Sequence, residues 1–102
     1  MTAKEIMQKA INTYGVENQM IKTVEELSEL SQALCKSIVR LNYTKEKTSL
    51  EDDLKSVDNI FEEIADVEIM LEQCKMIFYE SEDKINDYKK EKIKRLERRL
   101  MS

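Results

Sequence analysis

Histidine and proline are absent from this 102-residue chain, and glycine occurs once. Without histidine there is no Ser–His or Cys–His nucleophile. Nor is there an ExxH motif, which a di-iron or di-manganese carboxylate bundle requires. A single glycine, Gly15, cannot make a glycine-rich phosphate loop. The two cysteines, Cys35 and Cys74, form no CxxC, and both lie inside apolar helical patterns. They read as buried thiols in a reducing compartment. No stretch shows sustained period-two alternation, so strands are not expected. No apolar run approaches the roughly 20 residues of a membrane span, and the start does not read as a signal peptide. The expectation is a soluble, cytoplasmic protein with no membrane partner.

What remains is rich in Glu, Lys, Leu and Ile, a helical composition. The reading is one all-α domain over residues 1–102, a helical bundle of about four helices. Its hydrophobic content, 41%, makes a modest core that is thin for long helices standing alone, so oligomerisation is expected to complete it. Charge is uneven along the chain. Residues 1–83 carry 9 Lys/Arg against 18 Asp/Glu, a balance of −9, and residues 84–102 carry 8 against 3, a balance of +5, which together give the net −4. A basic segment on an acidic body suits phosphate or a neighbouring acidic face, or simply complements its own helix dipole. The acidic body argues against nucleic acid as a partner.

Thr2 followed by Glu5 resembles a capping box, and Ala3, Ile6, Met7, Ala10, Ile11 and Tyr14 then fall on one helical face. Gly15 suits the position that ends this first helix. A second helix is expected from Val16 or Glu17 to Leu41, with Met20, Val24, Leu27, Leu30, Leu34, Ile38 and Leu41 as its apolar stripe. Residues 42–48 read as a polar connection, and Ser49 with Asp52 as the next cap. A third helix is expected from Leu50 to Phe78, with the stripe Leu54, Val57, Phe61, Ile64, Val67, Leu71, Cys74 and Phe78. After an acidic break at residues 80–83, a fourth helix runs from about Glu82 to Leu100, with Ile85, Tyr88, Ile93, Leu96 and Leu100 apolar.

Two acidic pairs stand at the edges of these stripes: Glu26 with Glu29, and Glu63 with Asp66. Residues three apart lie one above the other on a helix face. Two such helices packed together would gather four carboxylates, a set suited to hard divalent cations and, through them, to a polyphosphate. In a chain that is 37% charged, such pairs also arise by chance as a solvated face.

The stretches Lys22-Thr23-Val24-Glu25-Glu26-Leu27-Ser28-Glu29-Leu30 and Glu62-Glu63-Ile64-Ala65-Asp66-Val67 together resemble the MazG-like family of all-α nucleoside triphosphate pyrophosphohydrolases. That family's pattern is an ExxE followed, after a helix–loop–helix spacer, by an ExxD. Tyr14-Gly15, Gln19 and Lys22 look like its lead-in. The spacer from Leu30 to Glu62, 33 residues, is longer than the family usually shows.

The resemblance implies a homodimer or homotetramer whose subunits complete a four-helix core. It implies Mg²⁺, with Mn²⁺ as an alternative, and cleavage of a nucleoside triphosphate between its α- and β-phosphates. Glu26, Glu29, Glu63 and Asp66 would be the metal ligands and catalytic residues. Lys22, Lys84, Asn86 and Arg95 are candidates for substrate binding. The competing reading is a non-catalytic helical oligomerisation or interaction module with a solvated acidic face.

Overall fold

The structure is a computed structural model. It describes residues 1–43, 50–79 and 81–102, and of 41–43 the backbone alone. Among the described residues it has four helices and no strand. They are α1 (Ala3–Tyr14), α2 (Val16–Tyr43), α3 (Leu50–Ile77) and α4 (Ser81–Met101). The expected cap at Ser49 and the connection at 44–48 lie outside the described residues, as does Glu80. No helix among those described is long and apolar enough to cross a membrane.

Local chemistry sets the helix ends. Thr2, in extended conformation, accepts the Glu5 N–H on its Oγ1 at 3.1 Å, as a capping side chain does. Gly15 closes α1 with φ 93° and ψ 153°, a conformation essentially reserved for glycine. Its N–H reaches the Ile11 carbonyl at 2.9 Å, and Asn18 Nδ2 donates to the Tyr14 carbonyl at 2.8 Å. Carbonyls left over by α1 are thereby satisfied, and α2 begins one residue later. Acidic residues open α3 (Glu51, Asp52, Asp53), and Arg98 and Arg99 close α4, both favourable to the helix dipole.

α2 and α3 form an antiparallel hairpin, the main packing of the molecule, and α1 lies across both with Ile11 buried. The seam positions repeat at alternating spacings of four and three: Gln19, Thr23, Glu26, Leu30, Ala33, Ser37 and Arg40 on α2. On α3 the same rhythm gives Ser56, Ile60, Glu63, Val67, Met70, Cys74 and Ile77. This is the heptad spacing of a helix–helix seam, and on α2 it is mostly polar. Gln19 Nε2 donates at 2.7 Å to Oε1 of buried Gln73, one residue before the seam position Cys74, and Arg40 meets Asp53 at 3.8 Å near the far end of the seam.

The apolar stripes expected to form this seam mostly do not. Met20, Val24, Leu27, Leu34 and Ile38 are exposed on α2, as are Leu54, Val57, Phe61, Ile64, Leu71 and Phe78 on α3. Leu30, Val67 and Cys74 do turn inward, and the side chain of Leu41 is outside the described set. The stripe and the seam are neighbouring tracks one residue apart; the inward track is mostly polar on α2 and mostly apolar on α3, where Val67 and Met70 are buried. α4 packs only against α3 among the described residues and buries nothing fully.

Candidate metal centre

Glu26 occupies the middle of the α2 seam and is buried, with 7% of its surface accessible. Lys22, one turn earlier, places its Nζ 3.0 Å from Glu26 Oε1 and 3.8 Å from Glu25 Oε2. Across the hairpin, Glu63 holds a seam position on α3 and is half-buried. Glu29 is exposed, one turn after Glu26. One carboxylate oxygen from each of Glu26, Glu29 and Glu63 lies within 4.8 Å of the other two. The second oxygens of Glu26 and Glu63 are buried with no hydrogen-bond partner among the described residues. Burying a carboxylate oxygen unpaired is costly, and a folded chain ordinarily satisfies it.

The electrostatics follow from that crowding. Glu29 holds its proton more tightly than an ordinary glutamate, first because of the Glu26 charge, then through desolvation and the Glu63 charge. Lys22 is shifted upward, mainly by its hydrogen bond to Glu26 and by that residue's charge. One lysine against three carboxylates leaves a local balance of −2, which a divalent cation would neutralise. Oxygen ligands at about 2.1 Å from an octahedral Mg²⁺ stand about 3 to 4.2 Å apart, so the three carboxylates need only a small contraction to serve one ion. The donor set, all oxygen and no sulfur or nitrogen, suits Mg²⁺ or Mn²⁺.

No family model, no curated protein and no solved structure matches the chain.

Three of the four expected ligands come together, and Asp66 is not among them. It is exposed, one residue before the seam position Val67, as Glu29 is one residue before Leu30. Its side chain is a methylene shorter than that of Glu29. Lys22 is at the cluster, although its contacts are to carboxylates. Lys84, Asn86 and Arg95 are exposed on α4, which shares no contact with α2 among the described residues, and Arg95 pairs with Glu91 at 3.3 Å. Within one chain they are not brought to the carboxylates.

A polar layer lies beside the cluster, and it contains Gln19 of the expected lead-in together with Thr23 and Gln73. Buried Thr23 donates to the Gln19 carbonyl at 2.8 Å and lies 3.4 Å from Cys74 Sγ, next to the Gln19–Gln73 bond. Counting back from Glu26 by three and four reaches Thr23 and Gln19, which is the signal that places both on the seam.

Proposed function

We propose that the chain is a divalent-cation-dependent nucleoside triphosphate pyrophosphohydrolase that yields a nucleoside monophosphate and pyrophosphate. The observation that carries this reading is the carboxylate trio Glu26, Glu29 and Glu63, with two buried oxygens that have no partner among the described residues. The resemblance of the surrounding sequence to MazG-like enzymes supplies the reaction. Glu26, Glu29 and Glu63 would hold Mg²⁺, or Mn²⁺ in its place, with Asp66 as a fourth carboxylate nearby on α3. A bound cation supplies charge neutralisation for the phosphates and lowers the pKa of an attacking water.

The protein's own groups divide the remaining work. The α2–α3 seam fixes the carboxylates relative to one another, so little reorganisation accompanies binding. Lys22 keeps a cation at the rim of the cluster, where a phosphate oxygen can exchange for its carboxylate partner. Lys84, Asn86 and Arg95 lie on the basic helix, and their part in substrate binding requires α4 from a neighbouring subunit. The working form is thus a homodimer or homotetramer, in the cytoplasm, without nucleic acid or membrane as partner.

The test is product analysis. The protein is incubated with Mg²⁺ and a panel of dNTPs, NTPs and modified triphosphates, and pyrophosphate is assayed separately from orthophosphate. Pyrophosphate with monophosphate, lost in EDTA and in Glu63→Gln, is the expected result. Orthophosphate alone, or no turnover across the panel, refutes it.

A further inference from the structure

One side of the hairpin is reached by stepping one residue back from a seam position. Glu29 precedes Leu30, Lys36 precedes Ser37, Val39 precedes Arg40, and Asn59 precedes Ile60. One residue is about 100° of helical rotation. On antiparallel helices an offset of the same sign turns both sets of residues to the same side of the pair. The carboxylate trio and these residues therefore share one side. An open groove of about 500 Å³ runs along it, lined by Ala33, Lys36, Val39 and Arg40 of α2 and by Ser56 and Asn59 of α3.

The groove begins one turn from the cluster. Ala33 lies four residues beyond Glu29, and Asn59 four before Glu63. Lys36 and Ser56 each lie seven residues from the same two carboxylates, two turns or about 10 Å along the helices. That is the reach from a phosphate to the far edge of a nucleobase. In the other direction the same side is closed. α1 leads into the start of α2 and packs on both helices, and at that end Gln73, which precedes Cys74, is 5% exposed. A molecule anchored at the carboxylates by a cation and a phosphate thus has one way to extend, along the groove.

The lining limits what fits there. Ala33 and Val39 are apolar and suit a ring better than further phosphates. Among the described residues no carboxylate lines the groove, and Lys36 forms no ion pair, whereas Arg40 meets Asp53 at 3.8 Å. Lysine and arginine only donate, while Asn59 and Ser56 donate and accept. Such a lining matches an oxo group, which accepts, and sets an exocyclic amine against a cation. We propose that the groove takes the nucleoside of the substrate, and that Lys36 selects bases with an oxo group at the far edge, such as hypoxanthine and uracil, over adenine and cytosine, which carry an amine there. Placement of the phosphate at the carboxylates rests on the hydrolytic reading.

The experiment is an NMR titration of the full chain, in Mg²⁺, with monophosphates, which carry a base and one phosphate and have no anhydride to hydrolyse. IMP should bind about tenfold tighter than AMP, and UMP about tenfold tighter than CMP. Lys36→Met should erase both preferences by weakening IMP and UMP, while pyrophosphate, which has no base, binds unchanged. Val39→Trp fills the groove and should remove binding of all four nucleotides, again sparing pyrophosphate. Both side chains are exposed, so both variants should keep their helix content by circular dichroism. Equal affinities within each pair overturn the proposal, as does a preference that survives Lys36→Met. So does a loss of pyrophosphate binding in Lys36→Met equal to that of IMP, which makes the lysine a phosphate contact. No nucleotide binding at about 10 mM also overturns it. A base preference without pyrophosphate release in the product analysis removes the hydrolytic reading and leaves the groove standing.

Discussion

Glu63→Gln isolates the cost of crowding three carboxylates with one lysine. The Glu63 and Glu26 carboxylates approach within 4.8 Å. At that distance two like charges repel by about 0.9 kcal/mol in water and about 3.5 kcal/mol at an effective dielectric of 20. Glu26 is buried and Glu63 half-buried, and Lys22 offsets part of the repulsion, so relief of about 1–2 kcal/mol is expected. The new amide also offers a donor to the orphaned oxygen of Glu26. In EDTA the variant should therefore melt above the wild type, by about 5–15 °C for a domain of this size. Magnesium should reverse the order. A cation at 100 times its dissociation constant stabilises the wild type by about 2.7 kcal/mol, and the variant, with one ligand fewer, gains less. The assay is thermal melting at one chain concentration, with ionic strength matched by NaCl. A variant less stable than wild type in EDTA, or equal magnesium shifts in both proteins, would refute the reasoning and leave the acidic face as a solvated one.

Three further outcomes follow from the geometry. Gln73→Ala leaves the buried Gln19 amide unpaired and should cost about 1–3 kcal/mol in urea denaturation, while the double change to leucine at 19 and 73 should be close to neutral. Gly15→Ala should cost about 1–3 kcal/mol by the same measure from backbone strain alone, because an added Cβ meets nothing within 4 Å. The raised proton affinity of Glu29 means that the folded chain keeps a proton the unfolded chain releases above pH 4.5. Metal-free stability should therefore fall as pH rises from 4.5 through the raised value, and Glu29→Gln should flatten that slope in urea melts from pH 4 to 7.

Helix number and helix ends were legible in the sequence because they depend on local chemistry. Thr2 caps, Gly15 turns, and the boundaries of α2, α3 and α4 fall within two residues of expectation. The facing of the helices was not legible. A seven-residue repeat reports that a stripe exists and leaves open what it meets, and here two tracks run side by side on each helix. Hydrophobicity favours the apolar track as the seam, yet on α2 Gln19, Thr23 and Glu26 occupy it. Polar residues can line a seam when they pair, as Gln19 with Gln73 does, and apolar residues can face outward when a further surface covers them. The carboxylate trio was readable as two ExxE/D pairs. That Glu29 joins it while Asp66 does not depends on reach across the hairpin, which spacing alone does not measure.

Among the described residues, every group at the cluster is carried by α2 or α3 themselves: Lys22, Glu26 and Glu29 on one, Glu63 on the other, with Gln19 and Gln73 bonded alongside. The alignment of the site is thus encoded in side chains matched along two rods. A covalent tether between two such rods raises the effective concentration of one for the other. The chain is, in that sense, already divisible. Two fragments cut between α2 and α3 should recognise each other by the Gln19–Gln73 match and rebuild the cluster at concentrations high enough to replace the tether. This would make the hairpin a natural split reporter, with reassembly read out as cation binding.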